Sequence, residues 1–211
     1  MTILNIGLTG SIGSGKSTVA NILQENGAAI VDFDAISRRI TASGGAAIEP
    51  IRREFGDAMI DANGALNRAN MRDLIFQNPI AKQKLESITH TLISAQAIEE
   101  AAQLALLKPL AVVYDIPLLY GNSFWLAKLD HIVVVVCDYE TQIQRVLQRN
   151  PDYTRKTVEA ILKTQATHVQ LLEIANTVID NSKNDTNHLQ VYTQVNILVG
   201  YLKRLCGNRS T

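Results

Sequence analysis

Apolar residues in this chain fall into two kinds of pattern. Short, nearly continuous runs stand at Ile3–Leu8, Ala29–Asp32, Leu110–Tyr114, His131–Cys137 and Thr177–Ile179. Runs without polar alternation mark strands covered on both faces, so they predict a parallel sheet of about five strands. Between the first two runs, Val19, Ala20, Ile22 and Leu23 share one face of a helix over Ser17–Glu25, which Gly27 stops. This strand, helix, strand unit predicts parallel pairing with a right-handed crossover. From Ala46 to Lys108 the pattern becomes helix after helix, the longest over Ala81–Leu107 and ending before Pro109. The expected architecture is α/β, a doubly wound parallel sheet with a helical insert.

Composition narrows the function. With 211 residues, 46% of them hydrophobic, the chain can bury a sizeable core as one domain carrying an insert. Its 20 basic and 20 acidic side chains cancel, which argues against any general attraction to nucleic acid or anionic membrane. The opening MTILNIG lacks the charged start and cleavage site of a secretory signal, and no apolar run approaches the ~20 residues that cross a bilayer; a cytoplasmic protein is expected. Cys137 and Cys206 form neither a CxxC pair nor a disulfide framework, and Cys137 reads as core. His90, His131, His168 and His188 lack metal-site spacing, and Trp125 reads as packing. The sequons at Asn184 and Asn208 carry no meaning in a cytoplasmic chain.

The most specific chemistry lies in GLTGSIGSGKST, residues 7 to 18, where Gly10 to Ser17 satisfy GxxxxGK[ST] between a predicted strand and a predicted helix. Backbone N–H groups of such a loop wrap phosphates, the helix start adds its dipole, Lys16 reaches the outer phosphates and the Ser17 hydroxyl can ligate Mg²⁺. The loop therefore predicts a nucleoside triphosphate site, without deciding what becomes of the nucleotide.

Other residues must decide that. Asp32 and Asp34 follow the second strand at the edge where open α/β sheets bind ligands, and an extended chain would point both carboxylates the same way. Two roles stand open for Asp34: orienting and deprotonating an acceptor hydroxyl, or capping a helix that starts at Ala35. Asp115 ends an apolar strand, as a Mg²⁺-associated acid would; Asp138 has the same form but reads as a helix N-cap. Arg145 and Arg149 lie one helical turn apart, followed by Arg155 and Lys156, and form either a cationic segment that closes over a phosphoryl group or a solvated charged face.

In order along nearly the whole chain, GLTGSIGSGKSTVA, VDFDAISR, FGDAMID, LNRANMRDLIF, DIPLLYGNS, QIQRVLQR, ILKTQ and VIDNS resemble dephospho-coenzyme A kinase. The resemblance implies a P-loop nucleotide-kinase-like fold: a core (1–45, 109–140, 165–211), a helical substrate-binding insert (46–108) and a lid (141–164). It further implies ATP-dependent phosphorylation of the ribose 3′-hydroxyl of dephospho-CoA, with ATP and Mg²⁺ as cofactors and no nucleic-acid or membrane partner. A monomer or weak homo-oligomer is expected. Gly10, Ser11, Ile12, Gly13, Ser14, Gly15, Lys16, Ser17 and Thr18 match the ATP loop, with Ser17 toward the metal. Asp34 resembles the catalytic base, assisted by Lys16 and Arg149, while Arg145, leading with Arg149 into the lid, joins the ATP-binding residues. Asp32, Arg38, Arg68, Arg72, His90 and Asp115 match the acceptor side.

Three positions depart from the family pattern: Ser11 stands where glycine is usual, Thr91 where proline follows the histidine, and Gly121 where glutamate closes the DIPLL stretch. The rival readings are another small-metabolite kinase, a non-catalytic CoA-binding protein and a GTPase switch. Asp61–Gly64 imitates the DxxG of a GTPase, and Ser182–Asp185 its [NT]KxD.

Overall fold

The structure, a computed structural model, describes residues 3–182 and 188–208. Lys183 to Asp185 of the GTPase-like stretch, with the Asn184 sequon, lie outside the described residues, as do the last two residues of the Asn208 sequon. In chain order the elements are β1 (Leu4–Thr9), α1 (Lys16–Glu25), β2 (Ala29–Asp32), α2 (Phe33–Ile40), α3 (Ile48–Phe55), a 3₁₀ turn (Asp57–Met59), α4 (Arg68–Gln77) and α5 (Pro79–Ala105). There follow β3 (Ala111–Asp115), α6 (Ser123–Leu126), β4 (His131–Val136), α7 (Tyr139–Arg149), α8 (Arg155–Thr164), α9 (His168–Ile174), β5 (Thr177–Asp180) and α10 (Leu189–Asn208).

All five predicted strands are present and form one sheet in the order β2-β3-β1-β4-β5. β1 runs parallel to β3 and β4, and β4 parallel to β5. Leu4, Ile6 and Leu8 of β1 bury one sheet face against Val19, Ile22 and Leu23 of α1 and Val195, Leu198 and Leu202 of α10. On the other face, the ring of Tyr114 of β3 packs at a tilt, centroid to centroid 5.1 Å, against Trp125, which is buried as expected.

The chain divides into two compact units, one of Met1–Val31 with Gln103–Thr211 and the other of Asp32–Ala102. Between Ala46 and Lys108 the expected helices are α3, α4 and α5, joined by one isolated antiparallel bridge from Ile60 to Leu66.

Side-chain caps move two helix starts from the periodicity. The Asn78 side chain accepts from the N–H groups of Ile80 and Ala81, so α5 begins at Pro79 rather than Ala81; proline suits a first helical position because its missing N–H is not needed there. Asp32 accepts from the Ala35 N–H at 2.9 Å, so α2 begins at Phe33. That corrects two expectations: Asp34 does not cap the helix, and the Asp32 and Asp34 carboxylates do not project from one extended strand. Thr91 and His90 lie inside α5, where the Thr91 hydroxyl donates to the Ser87 carbonyl at 2.9 Å, so the missing proline changes no turn.

Candidate active site

β1 delivers the chain into the glycine-rich loop, and α1 takes it away. Gly13 (φ 77°) and Gly15 (φ 89°) both need the left-handed region that side-chain-bearing residues avoid. Close approach restricts them further: a Cβ on Gly13 would lie 2.6 Å from the Gln142 carbonyl oxygen, and one on Gly15 would lie 2.0 Å from the Asn181 amide nitrogen. Ser11 keeps an ordinary backbone; among the described non-glycine residues only Lys108 and His188 have positive φ.

Gly15 caps α1 without any side-chain acceptor, although helix starts ordinarily recruit one. Among the described residues, nothing accepts from the N–H groups of Gly13, Gly15, Lys16 and Ser17. The Ser14 hydroxyl and Asn181 Oδ1 are also buried without a partner. Such orphans cost about 1–3 kcal/mol each unless a ligand satisfies them. The four loop N–H groups and the Ser14 hydroxyl, all donors, together form an anion nest at a helix N-terminus.

Lys16 forms an ion pair with Asp115 at the end of β3, and both side chains are largely shielded from water. Ser17 is exposed on the first turn of α1, and Thr18 follows it. Arg145 reaches this loop from α7: its guanidinium would lie 3.8 Å from a Cβ on Gly15, and its Nη1 stands 3.3 Å from the Cys137 sulfur. Burial raises the Cys137 thiol pKa, opposed by the neighbouring Arg145 charge. Arg149 is exposed at the last position of α7. Asp138 stands at the N-cap position of α7, but its side chain makes no capping bond, a correction to its reading as a cap. Arg155 does not point toward the loop: it grips Glu140 through two nitrogens, at 2.6 and 2.9 Å, and Glu159 through a third at 2.8 Å. Those bonds, Glu140 first, hold the Arg155 pKa up and the Glu140 pKa down.

In the unit Asp32–Ala102, the predicted residues sit on three helices. Asp32 caps α2, with its second oxygen 3.8 Å from Arg38. Asp34 is exposed in the first turn of α2 and makes no hydrogen bond or ion pair among the described residues. Arg68 donates to the buried Thr41 hydroxyl at 2.8 Å, Arg72 stands one turn further along α4, and His90 is exposed on α5. Asp61 is a turn residue whose carboxylate accepts from the N–H groups of Asn63 and Ala65, so the DxxG imitation is a hairpin.

Two site residues escaped the sequence reading. Asn181 donates from its side chain to the Ser14 carbonyl at 2.8 Å, and Gln165 accepts from the Ile12 N–H at 2.9 Å. Both follow the ends of regular elements, β5 and α8, and lie within VIDNS and ILKTQ, two of the stretches that carry the family resemblance, although no role was read for either residue.

A parallel five-stranded sheet with an open phosphate nest between its first strand and first helix defines a P-loop phosphotransferase of the nucleotide-kinase class. The family model for dephospho-CoA kinase matches residues 4–187. A dephospho-CoA kinase of Burkholderia lata is 47% identical over 83% of this chain and 85% of its own length; one of Bordetella pertussis is 46% identical over 83% and 80%. Among solved structures, TT1252 of Thermus thermophilus superposes with a TM-score of 0.79 at 29% identity, covering 94% of this chain and 97% of its own. The fold also matches a shikimate kinase of Acinetobacter baumannii, with a TM-score of 0.51 at 18% identity over 94% and 95%. The chain belongs to the dephospho-CoA kinase family.

Proposed function

We propose that this protein transfers the terminal phosphoryl group of ATP to the ribose 3′-hydroxyl of dephospho-CoA, giving coenzyme A and ADP in the last step of coenzyme A synthesis. The observation that carries the reading is the unfilled set of donors at Gly13, Gly15, Lys16 and Ser17, in a chain of this family. In a loose transition state, charge spreads over the transferred group, so fixed donors placed beforehand are what lowers the barrier. The loop amides and Lys16 hold the outer phosphates, the Ser14 hydroxyl gains an acceptor, and Arg145 and Arg149 supply cationic donors from α7.

The new bond forms between the ribose oxygen and phosphorus, the bridging P–O bond of ATP breaks, and the hydroxyl proton passes to Asp34. The partnering of the two aspartates supports this division: Asp32 holds the start of α2, while Asp34 makes no hydrogen bond or ion pair among the described residues. We assign Arg38 of α2 and Arg68, Arg72 and His90 of the helical insert to the acceptor, together with Asp32 and Asp115, and residues 141–164 to the lid. Mg²⁺ fits the available donors. Ser17 offers a hydroxyl and Asp115 a carboxylate, and this ion takes few protein oxygens, adding phosphate and water. Accordingly, no cluster of three or more His, Cys, Asp or Glu side chains is needed, and none occurs among the described residues. When bound, the ion neutralises charge on the outer phosphates.

Among the described residues, no helix is long and apolar enough to cross a membrane. We place the enzyme in the cytoplasm, acting on small molecules as a monomer or weak homo-oligomer. The test is product identification with Mg·ATP and a panel of acceptors including dephospho-CoA and shikimate. Coenzyme A and ADP are expected in equal amounts with dephospho-CoA alone; comparable phosphorylation of another acceptor, or a preference for GTP, overturns the reading.

A further inference from the structure

The glycine-rich loop is fastened to the helices that follow β4 by three independent contacts at consecutive residues. The Ile12 N–H donates to Gln165 Oε1 at 2.9 Å. The Ile12 side chain packs into the small core formed by Ile143, Val146 and Val158 of α7 and α8. Gly13 lies so close to α7 that a Cβ there would meet the Gln142 carbonyl oxygen at 2.6 Å. Gln165 itself is held at the end of α8 by an N–H bond to the Leu162 carbonyl at 3.1 Å, in an extended conformation that sends the chain toward α9. It also borders a cleft of about 380 Å³ shared with Gly10, Ser11, Pro117 and Tyr120.

We propose that Gln165 is a positioning residue for nucleotide binding: its side-chain oxygen fixes the Ile12 amide and so holds the loop in its phosphate-ready curve before ATP arrives. The inference deepens the reading of the loop as an ATP site and rests on it. Physically, an N–H with no acceptor in the free protein would leave the loop free to relax. Ordering it would then be charged against nucleotide affinity. With the Ile12 amide already bound to Gln165, the neighbouring amides of Gly13, Gly15, Lys16 and Ser17 stay aimed at the anion. Gln165 touches no phosphate in this scheme; it acts through Ile12.

The test uses the full chain and the near-isosteric Gln165→Met, which removes the acceptor. Amide exchange at Ile12 should accelerate at least about tenfold, and the Kd for Mg·ATP without acceptor should rise about tenfold, the scale of one hydrogen bond. The kcat at saturating ATP should stay within about twofold, because no transition-state contact is lost. Exchange at Val158 in α8 should be unchanged, and Gln165→Glu, which keeps an acceptor oxygen, should restore slow exchange at Ile12. Slow Ile12 exchange in Gln165→Met, or unchanged Mg·ATP affinity once that exchange has risen, overturns the proposal. Faster exchange throughout α8 reduces Gln165 to a folding role and overturns it equally. Binding is read with ATP alone, so a wrong acceptor assignment would leave these outcomes untouched.

Discussion

Around the glycine-rich loop, side chains from distant parts of the sequence already hold one another: Lys16 with Asp115, Asn181 with the Ser14 carbonyl, Gln165 with Ile12. In the unit Asp32–Ala102, the residues assigned to the acceptor stand differently. Asp34, Arg72 and His90 are exposed, and the Asp32–Arg38 contact is long and solvent-washed. The cores differ in the same sense. Helix α10 buries Val191, Val195, Leu198, Val199 and Leu202, whereas the longer α5 buries only three alanines, Ala81, Ala97 and Ala101. The glycine-rich loop is thus held in place by its own side-chain contacts, while Asp34, Arg72 and His90 stand exposed. Preorganisation matters most where charge develops in the transition state.

The largest effect that would break this contrast is expected at the least constrained residue. Asp34→Asn should lower kcat by about 10²–10⁴-fold, the range for loss of a general base, with ATP affinity retained. Unchanged turnover at saturating dephospho-CoA would remove Asp34 from the chemistry. Lys16→Ala should come next, with a loss of about 10²–10³-fold in kcat, the scale for removing one fixed donor. This change also breaks the ion pair to Asp115; unchanged turnover at saturating ATP would remove Lys16 from the phosphates.

The same contrast decides what could be read beforehand. The five strands were legible because burial on both faces leaves no polar alternation, as in the fully buried His131–Val136. The loop was legible because glycine at φ 77° and 89° has no substitute. Helix starts were not, since Asp32 fixed one by a single side-chain bond and Asn78 the other by two. The roles of Gln165 and Asn181, although both lie in quoted motifs, were hidden for another reason: their partners lie 153 and 167 residues away, and no local pattern encodes such a pairing. Of the two readings open for Arg155, its surface pairing with Glu140 and Glu159 favours the solvated charged face.

Stability should divide along the same line. Leu8, fully buried in β1, should cost about 2–5 kcal/mol when changed to alanine. Phe76, 89% exposed at the end of α4, should cost within about 0.5 kcal/mol for the same truncation despite its larger side chain. Urea denaturation of the two variants measures the difference. Equal losses would mean that Phe76 is packed in solution and not exposed at the end of α4.

The smallest effect concerns pH and belongs to the sheet unit. His131 is buried at the start of β4, with Nε2 2.8 Å from the Thr177 hydroxyl and its ring 5.6 Å from that of Tyr201; Asp130 and Arg204 border the same cleft. Burial lowers its pKa below the usual 6.5. The unfolded chain therefore binds the histidine proton at a higher pH than the folded one does. Stability from this group is complete above about pH 6.5 and falls as pH drops toward the depressed folded value. Between pH 7.5 and 5.5 the native protein should lose more stability than His131→Gln, which keeps a polar group near Thr177 but cannot titrate. The difference between the two urea midpoints isolates the histidine from carboxylates that titrate lower. Parallel pH dependences would mean that His131 accepts its proton as readily in the folded state, and that burial at this edge of the sheet does not exclude the charge.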